Sequence, residues 1–95
     1  MGKYKGKFTV GWLNIETEED SMDGLIRAIE KEQDFTCLIQ QVSMMGTKKD
    51  KQEIQKLITF LEKRNNDELT VEDVRNLNIR LSVGSVKCDE LIEQE

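Results

Sequence analysis

The sequence places a glycine, a hydroxyl and two lysines together, at Gly46, Thr47, Lys48 and Lys49, directly ahead of a helical pattern. Backbone N–H groups at the start of a helix carry partial positive charge and bind phosphates and other anions. Ligands of open α/β sheets also gather outside the ends of parallel strands, where this segment is expected. The four residues are therefore a candidate site for an anionic or phosphorylated small molecule. Because the order Gly-Thr-Lys departs from the phosphate-loop pattern, the alternative is a capped helix start with two solvated lysines.

Basic and aromatic residues alternate near the N-terminus. The set comprises Lys3, Tyr4, Lys5, Lys7, Phe8 and Trp12. Proteins that bind single-stranded nucleic acids stack bases on aromatic rings and follow the phosphates with cations, so Lys3, Lys5 and Lys7 are candidate nucleic-acid contacts. In a strand, however, the alternation directs the lysines and the rings to opposite faces. The alternative is that the rings belong to the core and the lysines protect a sheet edge from uncontrolled pairing.

An acidic cluster precedes the first helical pattern. It comprises Glu16, Glu18, Glu19, Asp20 and Asp23. Carboxylate oxygens bind hard cations, but the spacing here differs from that of a calcium-binding loop. Acidic residues are also favoured near the positive end of a helix dipole. We therefore expect no metal, and we interpret the cluster as a solvated helix cap.

Residue types needed for ordinary catalysis are missing. The chain contains no histidine, the commonest general base and metal ligand. Its two cysteines, Cys37 and Cys88, lack C-x-x-C spacing and are expected to be reduced thiols of a cytosolic protein. The adjacent Met44 and Met45 indicate either an adaptable contact surface or core filling. We expect a protein that is not an enzyme and that carries no cofactor.

Length and charge limit the number of domains and the classes of partner. The chain has 95 residues, of which 14 are basic and 19 acidic, for a net charge of -5. Residues 1–95 are expected to form one compact domain, and the acidic balance disfavours general affinity for nucleic acids. No apolar segment is long enough for a membrane span or a signal peptide, so we expect a cytoplasmic protein that does not contact a membrane.

Periodicity predicts the elements that position these residues. Alternating apolar residues predict strands over 3–15, 35–45 and 79–83, and helical spacing predicts helices over 21–32, 48–64 and 71–77. Residues 85–95 are expected to form a last helical turn or two or a frayed tail. The order is β-α-β-α-α-β-(α), with a parallel first β-α-β unit and residues 35–45 as the central strand. The expected fold is a small α/β (or α+β) domain with about three strands in one sheet and the helices packed on it.

These features favour a function in binding. So small a core gains from burial against a partner. We therefore expect a non-catalytic protein-interaction module, a small acidic regulator or inhibitor that binds another protein. It is expected to pair with itself about a two-fold axis, through the third strand or a helix face. The alternatives are the anionic ligand at Gly46–Lys49 and single-stranded nucleic acid on the N-terminal strand.

Overall fold

The computed structural model describes residues 2–94 and contains one four-stranded antiparallel sheet. Its strands are β1 (Tyr4–Val10), β2 (Leu13–Glu19), β3 (Asn78–Leu81) and β4 (Gly84–Glu93). Their order across the sheet is β2-β1-β4-β3. Because every neighbouring pair is antiparallel, the sheet consists of two hairpins joined through β1 and β4. It is a small compact α+β domain.

Four helices lie between the two hairpins in the chain. They are α1 (Met22–Glu30), α2 (Phe35–Met45), α3 (Lys48–Asn65) and α4 (Val71–Arg75). Thr47 and Asp50 form a capping box at the start of α3, and Thr70 and Asp73 form another at α4. Each box satisfies backbone donors that the first turn of a helix leaves unpaired. The helices predicted over 21–32, 48–64 and 71–77 are confirmed.

The core lies between the helices and one face of the sheet. On β1 the buried residues alternate with lysines that are exposed. The largest fully buried side chains are Phe8, Phe35, Leu25, Ile26, Ile29, Leu38 and Leu57. Since the lysines of β1 lie on the opposite face, the helices cover one side of the sheet and the other side faces solvent.

Residues 35–45 form helix α2, so the prediction of a central strand there is wrong. Phe35, Leu38 and Val42 are buried at helical spacing, while the exposed face carries no charged residue to reveal the period. The β-branched and apolar content resembled a strand covered on both faces. The deciding feature is Asp34, whose carboxylate accepts hydrogen bonds from the backbone N–H groups of Thr36 and Cys37. Without a strand here, the predicted parallel β-α-β unit does not exist.

The acidic segment after Leu13 is strand β2 and not the lead-in to a helix. Gly11 and Trp12 form a two-residue turn, and β2 returns alongside β1 with Val10 opposite Leu13. The single strand predicted over 3–15 is therefore wrong, because Gly11 and Trp12 turn the chain back and divide the segment between two strands. Only one face of β2 is partly covered, so its acidic residues can point into solvent.

The C-terminal segment is β4, one of the two central strands, so the prediction of a last helical turn or a frayed tail over 85–95 is wrong for the described residues up to Glu93. β4 pairs with both β1 and β3, and the N–H of Gln94 donates to the carbonyl of Lys3. A bulge shifts the register between Lys7 and Phe8. The bulge places Cys88 and Leu91 on the same buried face although they are three apart. Apolar residues three apart are also typical of a helix, so this spacing suggested helical turns.

Two smaller predictions change with the topology. The predicted strand over 79–83 is confirmed as β3, with Val83 in the following turn. β1 is a central strand, so Lys3, Lys5 and Lys7 do not protect a sheet edge as expected. Among residues 2–94, no helix has the length and apolar character needed to cross a membrane.

Candidate interaction surface

The tip of the first hairpin exposes a tryptophan. Gly11 has a φ of 64°, and a glycine at the first central position is typical of the type II′ turn that joins two strands with the right twist. The second central residue, Trp12, is 97% exposed. The alternation along β1 predicted this ring on the core side, but the turn carries it past the end of the sheet. Leu13 beside it is also exposed.

A groove of about 310 Å³ lies beside this tip. It is lined by Trp12, by Gln33 in the connection between α1 and α2, and by Gly84 and Ser85 at the start of β4. The N–H of Gly11 donates to the carbonyl of Ser85 at 2.9 Å, which holds the two hairpins together at this end. The turn that carries the exposed indole is therefore tied to the second hairpin.

Helix α2 presents an uncharged surface. The segment Phe35–Thr47 is the longest stretch of the sequence without a charged residue, and the second longest is Phe8–Ile15, which contains Trp12. On α2, Met44 is 82% exposed and Met45 is 70% exposed. Depletion of charge together with tryptophan and methionine is the composition of protein interfaces. The length of these uncharged stretches is the sequence signal for this surface.

The structure places Gly46, Thr47, Lys48 and Lys49 at the junction of α2 and α3. The hydroxyl of Thr47 accepts a hydrogen bond from the N–H of Asp50, and the Asp50 carboxylate accepts one from the N–H of Thr47. A carboxylate thus already lies at the amides that an anion would approach. Lys49 lines a depression of about 360 Å³ together with Asp50, Glu53 and Arg80. This arrangement supports the alternative interpretation, a capped helix start.

Lys5 and Lys7 of β1 lie in a ladder of opposite charges on the solvent face of the sheet, and Lys3 lies just before the strand. Lys7 is 3.9 Å from Glu16 on β2 and 3.6 Å from Glu90 on β4. Lys3 is 3.9 Å from Glu93, and Lys5 lies opposite Glu18 in the register. Glutamates therefore flank the lysines that would follow a phosphate backbone.

The predicted acidic cluster is divided between two elements. Glu16, Glu18 and Glu19 lie on β2, and Asp23 lies in the first turn of α1. The cap of α1 is Ser21, whose hydroxyl accepts from the N–H of Gly24, so the interpretation of the whole cluster as a helix cap is wrong. Within residues 2–94, no group of three or more cysteine or carboxylate side chains could hold a metal ion.

The two cysteines differ in their exposure to solvent. Cys37 is exposed on α2, whereas Cys88 is buried in β4. Burial raises the pKa of the Cys88 thiol, and the nearby Asp89 raises it further. A thiol held in its neutral form is a poor nucleophile, so Cys88 behaves as a small apolar core residue.

The two edges of the sheet differ. At the β3 edge, the N–H of Ser82 donates to Asp50 at 3.0 Å and the N–H of Arg80 donates to Glu53 at 3.2 Å. The hydrogen bonds from Ser82 lower the pKa of Asp50, and a hydrogen bond from Lys56 followed by that from Arg80 lowers the pKa of Glu53. Two ionised carboxylates of α3 therefore occupy donors that another strand would need.

In comparisons with known proteins, no family model, no curated protein sequence and no solved structure matches the chain.

Proposed function

We propose that this protein is a non-catalytic interaction module that binds another protein through the tip of its first hairpin and self-associates through α2. The observation that carries the proposal is the exposure of Trp12, 97% of whose surface is open to solvent. A turn does not need an indole at this position, and a protein gains no folding free energy from leaving it in water. Tryptophan is among the residues most often found at the energetic centre of interfaces.

The size of the effect is large enough to matter for binding. An aromatic side chain buries 150 to 250 Å² at an interface, which at ~25 cal/mol per Å² corresponds to roughly 4–6 kcal/mol before the costs of association. The Gly11–Ser85 hydrogen bond anchors the backbone of the turn that carries the ring. A preorganised anchor loses less entropy when a partner covers it.

The α2 surface supports self-association. The net charge of -5 opposes contact between two copies over most of the molecule, because like charges repel. The stretch Phe35–Thr47 has no charge, so two copies can meet there without that repulsion. The third strand, the other expected route, is less suitable because Glu53 occupies the outward N–H of Arg80 and Asp50 occupies that of Ser82 in the next turn.

Light scattering tests self-association. We expect a mass near twice the 11.0 kDa of the chain at high micromolar concentration. The double substitution Met44→Lys/Met45→Lys should return the mass to that of one chain. The matched control is Gln52→Lys/Gln55→Lys, which adds the same charge to exposed positions of α3 and should leave the dimer intact. A monomeric wild-type protein would rule out self-association.

The two alternative functions give different results in direct assays. A ligand at 100 times its dissociation constant adds ~2.7 kcal/mol to stability, so a thermal shift with nucleotides or phosphorylated metabolites that disappears in Lys48→Ala/Lys49→Ala would favour the anionic ligand. Gel shifts with single-stranded nucleic acid at low salt, lost in Lys5→Ala/Lys7→Ala, would favour the N-terminal strand. We expect neither result.

A further inference from the structure

The outer edge of β2 offers backbone groups for pairing. In a hairpin closed by a two-residue turn, the pair flanking the turn exchanges hydrogen bonds, and bonded and non-bonded pairs then alternate. Val10 and Leu13 flank this turn. Asn14 and Glu16 therefore direct their backbone N–H and C=O groups away from β1. Within residues 2–94, no hydrogen bond to these outward groups is made by another part of the chain.

The other edge of the sheet, at β3, is partly covered by helix α3. The outward N–H of Arg80 on β3 and the N–H of Ser82 in the turn that follows are bound by carboxylates of α3. This covering hinders another strand from pairing beside Arg80 and the turn. The α1 helix packs on the core face of β2 and leaves the edge uncovered from Leu13 to Thr17. Beyond Thr17, Gly2 lies against Glu18. The β3 edge is thus partly covered by α3, whereas the β2 edge has an open stretch.

The side chains of β2 define what would fit along this stretch. Glu16 and Glu18 are exposed on the solvent face, while Ile15 and Thr17 are half-buried on the other face. Trp12 and Leu13 stand at one end of the same strand. A complementary strand would place cations beside the glutamates, small aliphatic groups beside Ile15 and Thr17, and an apolar residue near Trp12.

A second copy of this chain is a poor occupant. Pairing of β2 with β2 about a two-fold axis would bring Glu16 and Glu18 of each strand close to those of the other. Like charges on neighbouring strands destabilise a sheet. The same glutamates attract a strand that carries lysine or arginine.

We propose that β2 accepts an extended basic segment of another protein as an added strand, with lysine or arginine alternating with aliphatic residues. This inference rests on the proposed function as a protein-binding module and names the chemistry of the partner. Main-chain hydrogen bonds supply the affinity in such strand addition, and the alternating side chains supply the specificity.

The test uses the full chain and a synthetic peptide of alternating lysine and valine. Hydrogen exchange followed by NMR should slow at the amides of Asn14 and Glu16 by roughly tenfold at saturating peptide. Exchange at Ile15 and Thr17, already paired with β1, should change little. This alternating pattern separates strand addition from unspecific attraction between a cationic peptide and an acidic protein.

Two matched controls sharpen the result. A peptide of the same sequence whose backbone is N-methylated at every lysine and valine cannot pair in either strand direction and should give no protection. On the protein, Glu16→Gln removes the charge alone, whereas Glu16→Pro also removes the outward donor, which an edge strand tolerates. The Glu16→Pro protein should bind the peptide roughly tenfold more weakly than the Glu16→Gln protein. Should Glu16→Pro fail to fold, the N-methylated peptide still provides the comparison.

The outcomes are distinguishable from those for the proposed function. Uniform or absent protection along β2, or equal binding of the N-methylated peptide, overturns strand addition. A second copy would be the occupant if these amides are protected and if, without peptide, the mass exceeds that of one chain and falls when Glu16 is substituted. That result would also overturn the proposal. The light-scattering test of α2 does not depend on either result.

Discussion

The carboxylate of Asp50 accepts a hydrogen bond from the backbone N–H of Ser82 at 3.0 Å, although the two residues are far apart in the chain. Asp50 also completes the capping box of α3 and is the one charged residue buried among residues 2–94. One side chain thus fixes both the start of the longest helix and the turn between β3 and β4.

We expect Asp50→Ala to destabilise the protein because it leaves the N–H groups of Ser82 and Thr47 without their acceptor. Urea unfolding monitored by circular dichroism measures the loss. The control is Asp67→Asn, an exposed acidic residue with a φ of 55° that asparagine tolerates well. Equal midpoints for Asp50→Ala and wild type would contradict the joining role of Asp50.

Stability should fall on acidification. The pKa values of Asp50, Glu53 and Asp73 are all lowered in the folded protein, mainly by hydrogen bonds from Ser82, Lys56 and Thr70 respectively. A lowered folded pKa adds stability that is complete above the unfolded pKa, near 3.8 for Asp and 4.5 for Glu. It is lost as the pH falls through the folded value.

Urea titrations from pH 7 to pH 3 measure this effect. The free energy of unfolding should start to decline near pH 5 and continue downward. The triple variant Asp50→Asn/Glu53→Gln/Asp73→Asn should be less stable at pH 7 and flatter across the range. An acid decline as steep in the variant as in the wild type would assign the effect to other carboxylates.

The helical assignment of α2 predicts which substitutions there are costly. Leu38 is fully buried, so Leu38→Ala should cost about 2–5 kcal/mol. Gln41 is exposed, and Gln41→Ala should change stability by less than about 0.5 kcal/mol. If residues 35–45 were a central strand, both positions would be covered, and the two substitutions would then have comparable costs.

The single tryptophan reports directly on the proposed surface. Because Trp12 is exposed, its fluorescence in dilute protein should be quenched by acrylamide almost as strongly as in the unfolded chain. Trp12→Thr should alter stability by less than about 0.5 kcal/mol. Strong shielding of the ring in dilute protein, or a large loss of stability in Trp12→Thr, would mean that the indole supports the fold and not a partner.

The fold was partly readable from local patterns. The helices α3 and α4 follow from the pairs Thr47/Asp50 and Thr70/Asp73, because a capping box is a local contact that the sequence spacing determines. The alternation in β1 correctly separates Phe8 from the lysines. Patterns of this kind report on one element and its buried face.

Other features depend on contacts between distant residues. The apolar residues of α2 fit both periods, and only the cap at Asp34 separates them. β4 hides its alternation behind the bulge opposite Lys7 and Phe8. The covering of β3 requires Glu53 to meet Arg80 across the fold. No local spacing contains that information.

The candidate surface shows the same division. The capped helix start at Thr47 was one of two interpretations of the sequence. The ladder of charges around Lys7 could not be predicted without the order of the strands. Trp12 was assigned to the core side because it shares the parity of Phe8 and Val10 in the sequence. Only the turn reveals that the ring projects beyond the sheet.

The pairing of β1 with β4 also bears on how this protein is made. The middle of the sheet joins the first strand of the described chain to the last, so a ribosome must deliver nearly all of that chain before the sheet can close. Until then, the apolar sides of the helices lack their cover. Pairing between segments so distant in the chain slows folding, and a nascent chain leaves these apolar surfaces open until β4 has emerged.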